Sequence, residues 1–389
     1  MLLTRQEEGL LSGEFGAGRA KAMEILKAVG EIYGADRLIP VSSAQVAGVS
    51  YKTIGDAGLD FLEDFAAKGA KAGIPSFLNP AGMDRESWKE MGIPQPFAEK
   101  QLRILKAYTS MGISATCTCT PYLIGIRPKL GEHIAWSESS AISFANSMLG
   151  ARTNRESAIT ALASAIIGKT PNFGLHLDEN RVANIAFEVR AGMKKLTDFG
   201  ALGLLAGKIA KERIPAFMGL GKSATEDRMK SLGAAMAASG AVALYYASDI
   251  TPEWKVSESA ERIPVEQRQL DEVKAKMQSA NSVELVTIGC PHCSLAEIKE
   301  IAWLLKGRKL KVKLWVCTSR KVKEEAESAG YAGVIRDAGG LVVADTCMVV
   351  APIEQMGFKS TGVNSGKAAT YLPTLCKQKV SFKDIEELL

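Results

Sequence analysis

Thr287–Ile298, TIGCPHCSLAEI, puts Cys290 and Cys293 three residues apart, directly after the apolar run Val283–Ile288. Thiols at that spacing suit several chemistries. A dithiol redox pair is one, because a thiolate at a helix N-terminus ionises readily. That motif normally opens a compact domain, whereas here almost three hundred residues precede it. Structural zinc is a second, but it wants another ligand pair at short spacing. Cys117 and Cys119 are only one residue apart, and the chain has 3 histidines. A third is an iron–sulfur cluster on distant cysteines. With three ligands, one iron keeps an open position for a substrate hydroxyl. The plain alternative is a set of small buried hydrophobes. On residue chemistry alone, cluster and core stand level.

The elements that position these thiols favour strand ends. Helical and strand patterns alternate along the chain, which predicts an α/β fold with largely parallel sheets. Helices are expected over 21–33, 56–68, 97–110, 140–149 and 155–167. Strands are expected over 38–42, 74–78, 113–117, 173–177, 216–220 and 242–246. The last third is clearest: strands 283–288, 312–317 and 341–345 alternate with helices 294–305 and 320–329, a doubly wound unit. Three regions follow: 1–120, 121–280 and 281–389, with the charged stretch 257–278 as a boundary. Ligands of such sheets sit beyond the carboxyl ends of strands. Cys119, Cys290 and Cys347 each fall just past a predicted strand, whereas Cys376 lies in a polar C-terminal stretch.

Composition bounds the rest. The chain has 389 residues, 47% hydrophobic and 23% charged, with a net charge of +5. Its basic residues are dispersed and not interleaved with aromatics, so nothing predicts nucleic-acid binding. No signal-peptide pattern and no run of about 18 apolar residues is present, which predicts a cytoplasmic protein without a membrane span. Seven scattered cysteines suit a reducing compartment. Thr4–Glu7 reads as a capping box opening a helix.

Several motifs together are similar to those of the aconitase X family: Cys119-Thr120-Pro121-Tyr122, Gly289-Cys290-Pro291-His292, Ala344-Asp345-Thr346-Cys347 and Asn364-Ser365-Gly366-Lys367, with 42–50, 78–82 and 136–140 in the same order. The resemblance spans essentially the whole chain and matches the separate large subunit. It implies an aconitase-like fold, several α/β domains around a central iron–sulfur site, and a hydro-lyase. The cluster, [4Fe-4S] or its iron-depleted [3Fe-4S] form, would be held by Cys119, Cys290 and Cys347, with Cys117 and Cys293 as neighbours. Family members dehydrate (R)-5-phosphomevalonate to trans-anhydromevalonate 5-phosphate or dehydrate cis-3-hydroxy-L-proline. The segments 43–50 and 79–82 look more like the former type. A small subunit is implied as partner, supplying the catalytic serine.

Residues expected to bind the small anionic substrate are Gly48, Val49, Ser50, Asn79, Pro80, Glu138, Ser139, Ser365, Gly366 and Lys367. Gly48 lets backbone approach a ligand. Ser365-Gly366-Lys367 precedes a short helical pattern, and helix-start N–H groups plus a lysine suit an anion. A Walker A loop is excluded by Thr361 and Ala368. Glu138 is a candidate acid/base, although a carboxylate beside an anion must be paired or protonated. His292 is expected to bond sulfur or substrate; His133, His176 and Arg127 read as structural or surface residues.

Overall fold

The computed structural model describes residues 1–389. Its most regular part is the last third, where five strands form one parallel sheet in the order Gly340–Ala344, Lys313–Thr318, Leu285–Ile288, Ser360–Val363, Lys379–Phe382. Successive side chains leave opposite faces. Leu285, Trp315 and Val343 enter one apolar cluster with Ala368 and Leu372, while Val286, Leu314 and Val342 enter another with Ile298 and Ile335. A parallel sheet buried on both faces needs this near-continuous apolar sequence.

The middle of the chain builds a four-stranded parallel sheet: Tyr246–Ala247, Pro215–Met218, Ala183–Val189, Val256–Val265. The charged stretch 257–278 folds as the edge strand Val256–Val265 and the helix Gln267–Lys276. An edge strand tolerates Glu258, Glu261 and Arg262 because one side faces water, and charge there deters further pairing.

The first part holds a short parallel sheet, Ser76–Leu78, Ala44–Val46, Ala135–Trp136, and an antiparallel pair, Leu38–Pro40 with Lys169–Pro171. Two expected strands fail here. Residues 113–117 make one bridge, Phe77 to Ser114, before Cys117 turns left-handed at φ 45°. Residues 173–177 form a 3-10 turn, Gly174–His176. Asn154 supplies the bonds a ladder would have made: its amide donates to Phe173 O at 3.0 Å and accepts from Leu175 N at 2.7 Å. The expected capping box is present, with Thr4 and Glu7 exchanging hydrogen bonds. No helix is long and apolar enough to cross a membrane.

Candidate active site

Each of three cysteines follows a left-handed backbone position. Gly289, at φ 104°, ends the strand Leu285–Ile288 and turns the chain toward Cys290. A Cβ there would lie 2.1 Å from Cys317 O, so only glycine fits. Asp345, at φ 64°, follows Gly340–Ala344 and precedes Cys347 by two. Arg85 holds its buried carboxylate through Nε at 2.9 Å and Nη2 at 3.3 Å, and Arg320 bridges it to Asp84. Cys117 stands two before Cys119, and Thr118 N donates to Leu78 O at 3.1 Å.

These turns bring Cys119, Cys290 and Cys347 to the wall of one cavity of about 220 Å³. Asn79, Pro80, Glu138, Ser139 and Lys367 line it too. Cys290 and Cys347 are close enough to share a hydrogen bond, which pulls the Cys347 thiol down to about 7 and pushes Cys290 up. Burial, then Glu138, pushes Cys119 up. Three apposed thiols thus resist ionising together until a cation joins them.

In the same cavity, Lys367 extends from the first turn of the helix Gly366–Leu375 and pairs with Glu138. Glu138, rather than a serine, is the N-cap of the helix Ser139–Ser147, accepting from Ala141 N at 2.6 Å and from Ser140 Oγ at 2.6 Å. Burial pushes its carboxyl up, but Lys367 and these donors outweigh burial and hold it below the ordinary range. Burial pulls the Lys367 ammonium down, but Glu138 together with Cys290, Tyr371 and Cys119 outweighs it, so Lys367 is raised. The expected pairing of Glu138 therefore exists, and Lys367 is a buried cation rather than a surface lysine.

Other expected residues stand behind the cavity. Val49 packs in the first core cluster. Gly48 turns at φ 71°. Ser50 caps the helix Tyr51–Ala67 and donates to Val350 O at 2.8 Å, bracing the wall. Ser365 caps the lysine's helix and donates to Cys290 O, with Gly366 packed against Gly200. Cys293 sits in the core with Ile298 and Ile301, its N–H donating to Cys317 O at 2.9 Å. No three His, Cys, Asp or Glu side chains are grouped as one metal ion would need. Cys293 thus packs in the core, while Cys290 lines the cavity.

The His292 ring touches neither sulfur nor the cavity: burial holds it down at about 4, and its nitrogens face Thr118 and Thr346. Cys376 is buried, with Lys52 Nζ 3.1 Å from its sulfur, contrary to the polar setting expected. Arg127 pairs with Glu226 at the surface, and His133 meets His176 at 2.9 Å. Sequence reasoning missed Ser137, Val349, Val350, Tyr371 and Leu375 in the lining. Tyr371 was within reach, because it lies four residues beyond Lys367 on one helix face.

Family models described as the aconitase X first, second and third domains match residues 1–179, 183–275 and 283–389. The chain belongs to the aconitase X family. It is 53% identical to the phosphomevalonate dehydratase large subunit of Methanocaldococcus jannaschii, covering 100% of this chain and 99% of that one. The corresponding subunit of Methanothermobacter thermautotrophicus is 50% identical over 100% of this chain and 98% of its own. The cis-3-hydroxy-L-proline dehydratase of Pseudomonas aeruginosa is 34% identical, over 97% of this chain and 67% of that protein. Among solved structures, holo-form aconitase X of Thermococcus kodakaraensis superposes with a TM-score of 0.94 at 48% identity, covering 100% of this chain and 99% of the other. The aconitase-like α/β fold with parallel sheets is thereby established for this aconitase X chain.

Proposed function

We propose that this chain is the large subunit of a cytoplasmic hydro-lyase that dehydrates (R)-5-phosphomevalonate to trans-anhydromevalonate 5-phosphate, with a [4Fe-4S] cluster on Cys119, Cys290 and Cys347. The observation that carries it is the single cavity shared by three buried thiols and the Lys367–Glu138 pair. Identity of about 50% along the full length to subunits named for that reaction supports the substrate. The donor set fits a cluster: all three ligands are thiols. Around them Asn79 Oδ1, Tyr122 Oη and Thr346 Oγ1 are buried without partners. All seven cysteines are free, which suits a reducing compartment.

When bound, the cluster supplies an iron that acts as a Lewis acid on the departing β-hydroxyl. The chain's own residues do the rest. The three cysteines bind as thiolates and release protons on loading, Cys347 giving up its own at the lowest pH. Lys367 puts a desolvated positive charge on the wall of the cavity, where it attracts an anionic group. Asn79, whose buried Oδ1 has no partner, can accept a hydrogen bond from a substrate hydroxyl. A base must take the proton beside the carboxylate. Glu138 is unsuited, since Lys367, Ser140 and the Ala141 N–H already hold its carboxylate. The aconitase X resemblance implies that a serine of the small subunit is that base.

Anaerobic co-expression with the small subunit tests this reading. The complex is expected to dehydrate phosphomevalonate, and the large subunit alone to be inactive. Turnover of cis-3-hydroxy-L-proline alone would overturn the substrate. Turnover by the isolated large subunit would overturn the partner's role. An iron-free complex that remains active would overturn the cluster.

A further inference from the structure

His292 is fully buried, and its polar atoms reach all three cysteine loops. Its Nδ1 lies 3.0 Å from Thr118 Oγ1, beside Cys119. Its Nε2 lies 2.9 Å from Thr346 O, beside Cys347. Its main-chain N–H donates to Cys119 Sγ at 3.2 Å, although His292 itself belongs to the Cys290 loop. From the second domain, Lys230 donates to His292 O at 3.2 Å, while Asp227 at 2.8 Å and Glu297 fix the lysine.

The polarity of these bonds is determined. A carbonyl only accepts, so Nε2 carries the proton and Nδ1 accepts from the Thr118 hydroxyl. Thr118 Oγ1 in turn accepts from Thr120 N at 3.1 Å. Donation therefore runs one way, from the Cys119 loop through the ring to the Cys347 loop. Such aligned chains strengthen one another in a dry interior. This matters because the Cys119 loop has no regular strand to fix it against the third domain.

We propose that His292 is a positioning residue that holds the loops of Cys119, Cys290 and Cys347 in register through both ring nitrogens, without contacting substrate or metal. The proposal rests on the cluster reading above. Partners of this kind commonly change metal retention 10- to 100-fold when removed.

The test uses the full chain, reconstituted anaerobically with iron and sulfide, in four forms: wild type, His292→Ala, His292→Gln and Thr118→Val. Release of iron to a chelator and the melting temperature of the metal-free protein are both measured. His292→Ala and Thr118→Val are expected to release iron about 10-fold faster or more, with His292→Gln, which keeps a donor near Thr346, in between. Release rates equal to wild type would overturn the proposal, as would a lowered melting temperature with unchanged release. Failure of the wild type itself to take up iron and sulfide would overturn the cluster reading and this inference with it. If His292→Ala does not fold, Thr118→Val decides, together with 15N spectra of the metal-free wild type. With 3 histidines in the chain, His292 is assignable; it should be protonated at Nε2, and protonation at Nδ1 instead would overturn the proposal.

Discussion

The third domain and the first bring cysteines to the same cavity by different means. In the third, Cys290 and Cys347 follow strands that flank Lys313–Thr318 in one parallel sheet, so the spacing of the sheet itself sets two corners of the site. In the first, Cys119 follows an irregular segment tied to Ser76–Leu78 by separate bonds, such as Ser114 N to Ser76 O at 2.9 Å. A regular sheet can deliver ligands at strand ends without help. An irregular loop has to be docked. The docking falls to His292, to the Lys367–Glu138 pair, to Ala81 N donating to Asp345 O at 2.8 Å, and to the Asp84–Arg320–Asp345–Arg85 charges.

The sharpest way to break this comparison is to remove the joint between the two regions. Lys367→Met leaves Glu138 buried and unpaired, which should cost about 3–5 kcal/mol in equilibrium unfolding. The pH dependence should change sign as well. In the wild type the Glu138 carboxyl sits below its ordinary value of 4.5, so its contribution is complete at neutral pH and fades as pH falls below that value. Without Lys367, burial dominates and raises it. The variant should then gain stability relative to wild type on acidification from pH 7 to 5, and an unchanged difference across that range would refute the pairing argument.

Gly289→Ala attacks the regular side. The strained turn and the contact with Cys317 O should cost about 1–3 kcal/mol and reduce iron uptake. Normal uptake would mean that strand ends do not set the Cys290 corner. The smallest effect belongs to Cys293→Ser. A buried hydroxyl costs about 1 kcal/mol or somewhat more, but iron and sulfide content should stay at the wild-type level, since Cys293 faces the core. Loss of the cluster in that variant would transfer the ligand role to Cys293.

What could be read from sequence follows the same division. The apolar runs 283–288, 312–317 and 341–345 announced the third-domain strands because buried parallel strands are near-continuously hydrophobic. Cys290 and Cys347 were legible with them. In the first domain, Cys119 was placed after a strand that does not form, and its position was recovered through the family motif rather than through periodicity. Asn154 shows why: one side-chain amide replaced a ladder at 173–175, and such long-range bonds leave no local pattern. Val350 and Leu375 were missed because isolated apolar residues carry no sign of which cavity they face.

The pairing of Glu138 with Lys367 spans 229 residues of sequence. The lysine's helix, Gly366–Leu375, lies close to the end of the chain. Domains form in order as the nascent polypeptide emerges. While the ribosome is still translating, Cys119 and Glu138 are therefore already outside, facing an incomplete wall. On the cluster reading proposed above, metal loading then waits for the third domain, which brings Cys290, Cys347 and Lys367.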